Sequence, residues 1–267
     1  MNKLSNNEFG ILILSCDAYL DLWPLFLEYF FNNFDLDGTS YPVYFGSNEV
    51  PNNDPRVIPL LSGKDTNWSS SYIKILEQIS CSKILVILED MIVVTPVEAY
   101  KLKEFVEFGI SSNATHVQYS HWPWHNNLTS KNNLFLEIPK QMPYRSLVCG
   151  FWDKSYLTRL LIPGESPWNF EIMGSYRVSY DTGFYVIKKN LFDWVNLVEK
   201  GCWTNESLIW AKKNSVNINL FPRPISKFSS RIISKLKKYY FNSVRLLISW
   251  KFRVKFMHLL RKIFISY

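Results

Sequence analysis

The chain has 267 residues, of which 47% are apolar and 16% aromatic, enough for one sizeable hydrophobic core with or without an appendage. This aromatic content excludes an intrinsically disordered protein, and four scattered cysteines without a C-x-x-C pair indicate neither a zinc ribbon nor a disulfide scaffold. The net charge of +7 is unevenly divided, because residues 207–267 contain 14 Lys and Arg and no acidic residue, whereas the first 206 residues carry a net charge of −7.

The first ninety residues predict strands that alternate with helices. In chain order, the predicted elements are a strand at 9–15, a helix at 21–34, strands at 41–45 and 56–60, a helix at 69–79 and a strand at 83–88. Buried strands that alternate with helices are typical of an α/β protein with a mostly parallel sheet and helices on both faces. Ligands of such sheets bind beyond the carboxyl ends of the strands.

Carboxylates follow two of these predicted strands. Asp17 comes after the first strand, and the adjacent pair Glu89 and Asp90 directly follows the fully apolar strand at 83–88. Two carboxylates at the ligand edge of a sheet can hold a hard divalent cation such as Mg²⁺ or Mn²⁺ against a diphosphate. Residue types alone leave a second interpretation open, in which the pair only caps a turn at the end of the strand.

The second half of the chain has a less regular pattern. It predicts helices at 98–108, 154–161, 167–173 and 206–213, strands at 116–120, 146–152 and 181–187, and a loop at 121–145. The segment from Glu165 to Glu171 surrounds Trp168, and a carboxylate beside an indole suits sugar chemistry, since aromatic faces stack on pyranose rings and a carboxylate can accept a hydroxyl proton. The alternative is a helix N-terminus whose dipole favours acidic residues.

The run from His121 to His125 places two histidines four residues apart around Trp122 and Trp124. This spacing could bind zinc on a helix, but Pro123 disfavours a helix and no third ligand is evident. A loop whose two tryptophans face a substrate is the interpretation we retain. The motifs of dinucleotide-binding proteins, P-loop proteins and α/β-hydrolases are absent from the sequence.

From residue 229 onward the pattern is helical, basic and amphipathic. Three interpretations remain at this point: an interfacial helix on an anionic membrane, a nucleic-acid-binding segment, and a helix that docks onto a partner protein. We expect the first, since no groove-reading motif accompanies the charge. No window has the roughly 18 apolar residues that a membrane-spanning helix requires, and the N-terminus does not have the pattern of an export signal.

Taken in order, the motifs resemble bacterial glycosyltransferases of the GT-A fold, related to glycosyltransferase family 2, from capsule, O-antigen and exopolysaccharide synthesis. The resemblance covers residues 8–222 and rests on a series of short segments. These are Cys16-Asp17, Asp21-Leu22-Trp23-Pro24, Tyr41-Pro42-Val43-Tyr44, Asp65-Thr66-Asn67-Trp68-Ser69, Glu89-Asp90-Met91, the stretch from Gly164 to Glu171, and Lys200-Gly201-Cys202-Trp203.

The resemblance implies a nucleotide-diphosphate sugar as donor, with UDP-sugars expected first. Asp17 would lie near the nucleotide, and Asp65 and Trp68 near its base or ribose. Lys200 and Trp203 would close over the diphosphate.

Glu89 and Asp90 occupy the place of the family's D-x-D metal motif, where Mn²⁺ or Mg²⁺ binds. The sequence departs from that motif at Met91, which stands in the third position. Donor binding without a metal therefore remains open. The resemblance further implies that Glu171, with Glu165 as the substitute candidate, is the general base of an inverting transfer.

Together these observations predict a GT-A-like catalytic domain at residues 1–222 and a basic helical tail at 223–267. The acceptor would be a saccharide or a lipid-linked saccharide, and the protein would lie at the cytoplasmic face of the plasma membrane without a nucleic-acid partner. The main alternative is a non-catalytic protein that docks a partner and an anionic membrane surface.

Overall fold

The structure, a computed structural model, describes residues 8–36, 39, 41–121, 127–218, 223–226 and 248–264. The chain divides into a first unit, Met1–Trp194, and a second unit, Val195–Tyr267. The domain boundary that the sequence predicts between residues 222 and 223 stays a prediction.

The elements of the first unit follow the alternation that the sequence predicts. Its strands are β1 Phe9–Leu14, β2 Val43–Ser47, β3 Ile58–Leu61, β4 Lys83–Leu88, β5 Met91–Val93, β6 His116–Gln118, β7 Thr129–Ser130, β8 Phe135–Glu137, β9 Gly150–Asp153 and β10 Phe184–Ile187. Its helices are α1 Trp23–Asn33, α2 Trp68–Gln78, α3 Ala99–Ser111, α4 Lys154–Leu160 and α5 Pro167–Arg177. A short 3₁₀ turn, Asp17–Tyr19, follows β1.

The main sheet of the described residues has nine strands in the order β3-β2-β1-β4-β9-β6-β10-β8-β7. The block β3-β2-β1-β4 is parallel throughout, and β10 is parallel to β6. β9 is antiparallel to both of its neighbours, and β8 and β7 form an antiparallel edge. The predicted α/β class, with a large sheet between helices, is confirmed.

Helices cover both faces of this sheet because successive side chains of a strand point to opposite faces. In β9, the ring centroid of Phe151 lies 6.5 Å from that of Phe105 in α3. The neighbouring residue Trp152 points the other way, with its ring centroid 6.2 Å from that of Phe170 in α5. The central strand β1 is buried along its entire length, as its unbroken apolar sequence predicts.

The largest difference from the sequence-based prediction concerns residues 146–152. They were predicted as one strand, but only Gly150–Asp153 forms a strand, and it runs antiparallel. Gly150 begins it with a φ of +136°, a conformation that glycine adopts without strain. The segment 145–149 packs along α5 instead, and the predicted loop at 121–145 contains β7 and β8.

This topology brings several strand ends to one edge of the sheet. Since β9 is antiparallel to β4 and β6, its first residues lie beside their last ones, with Gly150 opposite Val86 and Phe151 opposite Val117. We call this the carboxyl edge, comprising the residues that follow β1, β2, β4, β6 and β10 and those that precede β9. Carboxyl edges of this kind are where α/β sheets bind ligands.

The second unit contains β12 Val198–Glu199 and β13 Cys202–Trp203, which form an antiparallel hairpin. β11 Trp194–Asn196 lies at its start, and its helices are α6 Asn205–Lys213 and α7 Trp250–Phe264. Lys200 and Gly201 form the hairpin turn with positive φ angles. In the part of the chain that the structure describes, no helix combines the length and apolarity needed to cross a membrane.

Candidate functional site

Asp17 links the ends of β1 and β2. Its carboxylate accepts hydrogen bonds from the backbone N–H groups of Asn48 and Glu49, both at 3.0 Å, and of Val50 at 3.2 Å. Its own N–H donates to Oδ1 of Asn48 at 3.0 Å. Asp17 therefore shapes the loop after β2 at the carboxyl edge, and its predicted contact with a nucleotide stays a prediction.

Two of the motifs come together at the N-terminus of α2. The side chain of Asn67 caps α2 by accepting the N–H of Ser70 at 3.0 Å, and it also accepts the N–H of Gly164 at 3.0 Å. The hydroxyl oxygen of Ser69 accepts the N–H of Glu165 at 3.1 Å. Segments almost a hundred residues apart in the chain are thus joined beside the carboxyl edge.

Trp68 and Asp65 lie at the same junction. The ring of Trp68 lies 5.4 Å from that of Tyr72 and 5.7 Å from that of Phe170, the residue before Glu171. The hydroxyl of Ser71 donates to the carboxylate of Asp65 at 3.2 Å. Trp68 thereby connects α2 to α5, and the predicted role of both residues at a base or ribose stays a prediction.

The two candidate bases differ in their surroundings. The carboxylate of Glu165 accepts two hydrogen bonds from the guanidinium of Arg177, at 2.7 and 2.8 Å. Glu171 forms no ion pair with a Lys, Arg or His among the described residues. Because Glu165 already holds a cation in a bidentate pair, Glu171 is the better placed of the two to accept a proton.

Glu171 as a residue is only partly buried, but its carboxyl group is enclosed by protein atoms. This burial raises the pKa of Glu171 to about 7. The N–H of Val148 donates to its Oε1 at 3.3 Å and offsets only part of the effect. A carboxyl group that titrates near neutral pH can exchange protons with a substrate under physiological conditions.

The charges of Asp90 and Glu171 raise the pKa values of the same two buried groups, the Cys149 thiol and the Tyr119 hydroxyl. Burial raises the pKa of the Cys149 thiol, and the negative charges of Glu171 and Asp90 add to the effect. The pKa of the Tyr119 hydroxyl is also raised well above its usual value by burial, with contributions from Cys149, Asp90 and Glu171. Asp90 and Glu171 therefore both lie close to Cys149 and Tyr119 at the carboxyl edge.

A second group of carboxylates surrounds Cys16. Burial raises the pKa of this thiol to about 12. The negative charges of Glu89, Asp65 and Asp17 reinforce the shift. Residues that are far apart in the sequence thus form one acidic region across the ends of β1 and β4.

The donor set of this region limits the metal that it could hold. Within the described ranges, no three His, Cys, Asp or Glu side chains converge as metal ligands. The third motif position is occupied by Met91, whose sulfur accepts hydrogen bonds from Cys149 at 3.6 Å and from Tyr119 at 3.7 Å. Glu89 and Asp90 fit only a hard cation that completes its shell with diphosphate oxygens and water, as Mg²⁺ commonly does.

Five further residues belong to the predicted site. Trp168 is 58% exposed on the first turn of α5. Trp122 and Trp124 lie outside the described residues. Lys200 and Trp203 belong to the second unit, where Trp203 is buried and Lys200 lies in the hairpin turn. The predicted roles of these five residues stay predictions.

Sequence reasoning missed Tyr119 and Cys149, which line the carboxyl edge beside Glu171. Tyr119 follows the short mixed polar and apolar strand β6, and Cys149 precedes a strand whose direction the sequence does not reveal. It also missed Arg145, which is fully buried although it carries a charge. The only signal was the pair Cys149-Gly150, since glycine often marks a strand end or a close approach of the backbone.

No known family model matches the chain, and no curated protein does either. Among solved structures, the chain is similar to S. aureus TarS, with 11% sequence identity. The match covers 67% of this chain and 36% of the TarS chain, and its TM-score is 0.44. TarS 1–349 in complex with UDP gives 10% identity, 67% and 60% coverage, and a TM-score of 0.45. The bifunctional glycosyltransferase WbbM in its apo form gives 14% identity over 44% of this chain and 24% of that one, with a TM-score of 0.29.

The chain thus spans 36% to 60% of these TarS chains and 24% of WbbM. Similarities this weak carry no argument about activity. The α/β class rests on the order and direction of the strands, and the candidate site rests on the residues at the carboxyl edge.

Proposed function

We propose that this protein is a glycosyltransferase that moves a sugar from a nucleotide-diphosphate donor to a hydroxyl group of an acceptor. The observation that carries the proposal is Glu171, an enclosed carboxyl group with a pKa of about 7 beside Asp90 at the carboxyl edge of an α/β sheet. The order of the sequence motifs, which resembles GT-A glycosyltransferases, gives the same assignment.

In the proposed reaction, Glu171 in its ionised form removes the proton of the acceptor hydroxyl. The hydroxyl oxygen forms a bond to the anomeric carbon while the bond from that carbon to the diphosphate oxygen breaks. The electron pair of the broken bond leaves on the diphosphate. Direct attack from the face opposite the leaving group inverts the anomeric centre.

The donor is proposed to lie across the ends of β1, β2 and β4, where Asp17, Asp65 and Trp68 would contact the nucleotide. Glu89 and Asp90 would hold Mg²⁺ or Mn²⁺ if the donor brings one, and such a cation would offset the charge of the leaving diphosphate. Trp168, exposed on α5, is available to stack on a sugar ring of the acceptor.

The acceptor is proposed to be a saccharide or a lipid-linked saccharide at the inner face of the plasma membrane, as in the synthesis of bacterial surface polysaccharides. α7 supports this proposal, because its buried face carries Trp250 and Val254 whereas Phe252, Phe256 and Leu259 are 49% to 60% exposed. Lys251 and Lys255 flank the exposed apolar side chains. Such a helix suits binding in the interface of an anionic membrane.

A thermal-shift screen of UDP-, GDP- and CMP-sugars, with and without Mn²⁺ or Mg²⁺, tests the proposal. A donor at about 100 times its dissociation constant stabilises the fold by about 3 kcal/mol, so one class of donor should raise the melting temperature by several degrees. Asp90→Ala should lose this shift, whereas Glu77→Ala, on the exposed side of α2, should keep it. Glu171→Gln should bind the donor normally but fail to transfer the sugar.

The outcomes separate the candidate functions. If a donor raises the melting temperature equally with and without a metal ion, the transferase proposal stands, but Glu89 and Asp90 are not metal ligands. If no donor shifts the melting temperature of the wild type, the transferase proposal fails and the non-catalytic binding protein becomes the better explanation.

A further inference from the structure

A second cleft opens beyond the carboxyl ends of the parallel neighbours β6 and β10. It has a volume of about 480 Å³. Its described lining consists of His121, Lys188, Lys189, Asn190 and Asp193. Of this group only His121 belongs to a sequence motif, and the proposed donor site accounts for none of the five residues.

The walls of the cleft are fixed to each other by hydrogen bonds between the two chain segments. The N–H of Leu191 donates to the carbonyl oxygen of Tyr119 at 2.8 Å, and the N–H of His121 donates to Oδ1 of Asn190 at 3.1 Å. The imidazole Nδ1 of His121 lies 3.3 Å from the carbonyl oxygen of Ile187. The cleft is therefore a built extension of the sheet, and Tyr119 connects it to the site around Glu171.

The charge of the cleft is positive although the first 206 residues carry a net charge of −7. Lys188 donates to the carbonyl oxygen of Asn132 at 2.8 Å, which places its ammonium group without neutralising it. Lys189 is exposed and forms no ion pair with any described residue. The carboxylate of Asp193 accepts the amide of Asn190 at 3.1 Å, and the described lining carries two ammonium groups and a single carboxylate.

We propose that this cleft binds a phosphate group of the acceptor. Ammonium groups on flexible stems bind phosphate as point charges. The inference rests on the proposed transferase function, because it assigns the ligand to the acceptor side of that reaction.

The position of the cleft separates it from the diphosphate of the donor. β10 lies three strands away from β4 in the order β4-β9-β6-β10. At a spacing of about 4.8 Å between neighbouring strands, the ends of β4 and β10 are about 14 Å apart. We therefore assign the phosphate in the cleft to a second molecule that extends along the carboxyl edge, and not to a diphosphate held at Asp90.

Isothermal titration of the full-length protein with inorganic phosphate tests the site. The double variant Lys188→Gln/Lys189→Gln should bind phosphate about tenfold more weakly than the wild type, since two charged contacts are lost. The matched control Lys74→Gln removes an exposed lysine of α2 and should leave the affinity unchanged. Equal affinities of the wild type and the double variant, with matching melting temperatures, would overturn the proposal.

A comparison of two phosphate esters identifies the source of the group. Tighter binding of farnesyl phosphate in micelles than of glucose 1-phosphate assigns the phosphate group to a lipid carrier. The reverse order assigns it to a soluble saccharide. In either case the ester must bind more weakly to the double variant than to the wild type. The donor shift in the thermal screen is measured separately. Phosphate binding in the cleft can therefore fail while the transferase proposal stands, and the donor shift can fail while the cleft still binds phosphate.

Discussion

At the scale of single residues, Glu171 in α5 differs from Glu165, which precedes the helix, because the fold does not supply a cation for Glu171 among the described residues. Glu165, six residues earlier, is neutralised by Arg177 and helps to hold the start of the helix. Glu171 receives one hydrogen bond from Val148, at 3.3 Å. The structural carboxylate therefore precedes α5, and the carboxylate that is available for proton transfer lies within it.

The raised pKa of Glu171 makes the stability of the protein depend on pH. The unfolded chain ionises this carboxyl group near its ordinary pKa of 4.5, whereas the folded protein keeps it protonated up to about pH 7. The free energy of unfolding therefore falls as the pH rises from 4.5 to about 7, by up to about 3 kcal/mol in total. Glu171→Gln should be more stable than the wild type by about 1–3 kcal/mol at pH 8 and about equally stable at pH 5, in urea unfolding.

Glu165→Gln provides the contrast for this measurement. It removes a carboxylate that is paired with Arg177, so we expect it to lower the stability at pH 8 by about 1 kcal/mol. If Glu171→Gln were also less stable than the wild type at pH 8, the carboxylate would be stabilised by its surroundings. Its assignment as a base poised near neutral pH would then be wrong.

At the scale of elements, the position of α5 depends on the segment 145–149. Arg145 is buried and donates to the carbonyl oxygens of Val178 and, at 2.7 Å, of Asp181, beyond the C-terminus of α5. Its guanidinium also lies 4.3 Å from the ring centre of Phe184 in β10. Burial lowers the pKa of Arg145 to about 10, which still leaves it charged at neutral pH. One side chain therefore joins α5 to the sheet.

Arg145→Met should lower the free energy of unfolding by about 2–3 kcal/mol, because it removes the charged, buried hydrogen-bond donor of the carbonyl oxygens of Val178 and Asp181. The measurement is urea unfolding at neutral pH. Arg159→Met is the matched control, since Arg159 on α4 is exposed and contacts Ser155 at 3.4 Å and the ring of Tyr156 at 5.8 Å from its centre. We expect that control to change the stability by less than about 0.5 kcal/mol. Equal losses in the two variants would contradict the role of Arg145.

The elements show which information the sequence contains. β4 occupies the predicted residues 83–88, because an unbroken apolar run is a strong signal of a buried strand. The direction of β9 was not predictable, because the apolar pattern of a strand is the same whichever way it runs. The carboxylates at the strand ends were predictable from position alone. The enclosure of Glu171 and the burial of Arg145 depend on contacts between distant segments, which no local pattern encodes.

At the scale of the whole molecule, the basic residues after position 206 require an explanation apart from the catalytic chemistry. In α7, a spacing of 3.6 residues per turn places Lys251 and Lys255 on one row beside the exposed rings of Phe252 and Phe256. These two rings lie 6.5 Å apart. An apolar strip with a basic border is the arrangement that an anionic membrane surface would bind.

Lys251→Gln/Lys255→Gln should weaken binding to vesicles that contain phosphatidylglycerol by about 30-fold, at roughly 1 kcal/mol for each lysine. Lys212→Gln/Lys213→Gln removes the same charge from the end of α6 and should have a much smaller effect. Sedimentation with vesicles measures both variants, with neutral phosphatidylcholine vesicles as the reference. Equal losses would mean that only net charge matters, and the specific role of α7 would be abandoned.

The strand order also fixes the sequence of events by which the sheet can be completed. β3, β2, β1 and β4 are contained in the first 88 residues, but the partner of β4 on its open side is β9, at Gly150–Asp153. Until that segment has been synthesised, the most apolar strand of the chain presents an unpaired edge, the feature from which nascent proteins aggregate. A fragment that ends before residue 150 would keep the parallel block yet retain this hazard, so the antiparallel strand that the sequence concealed also protects the sheet during synthesis.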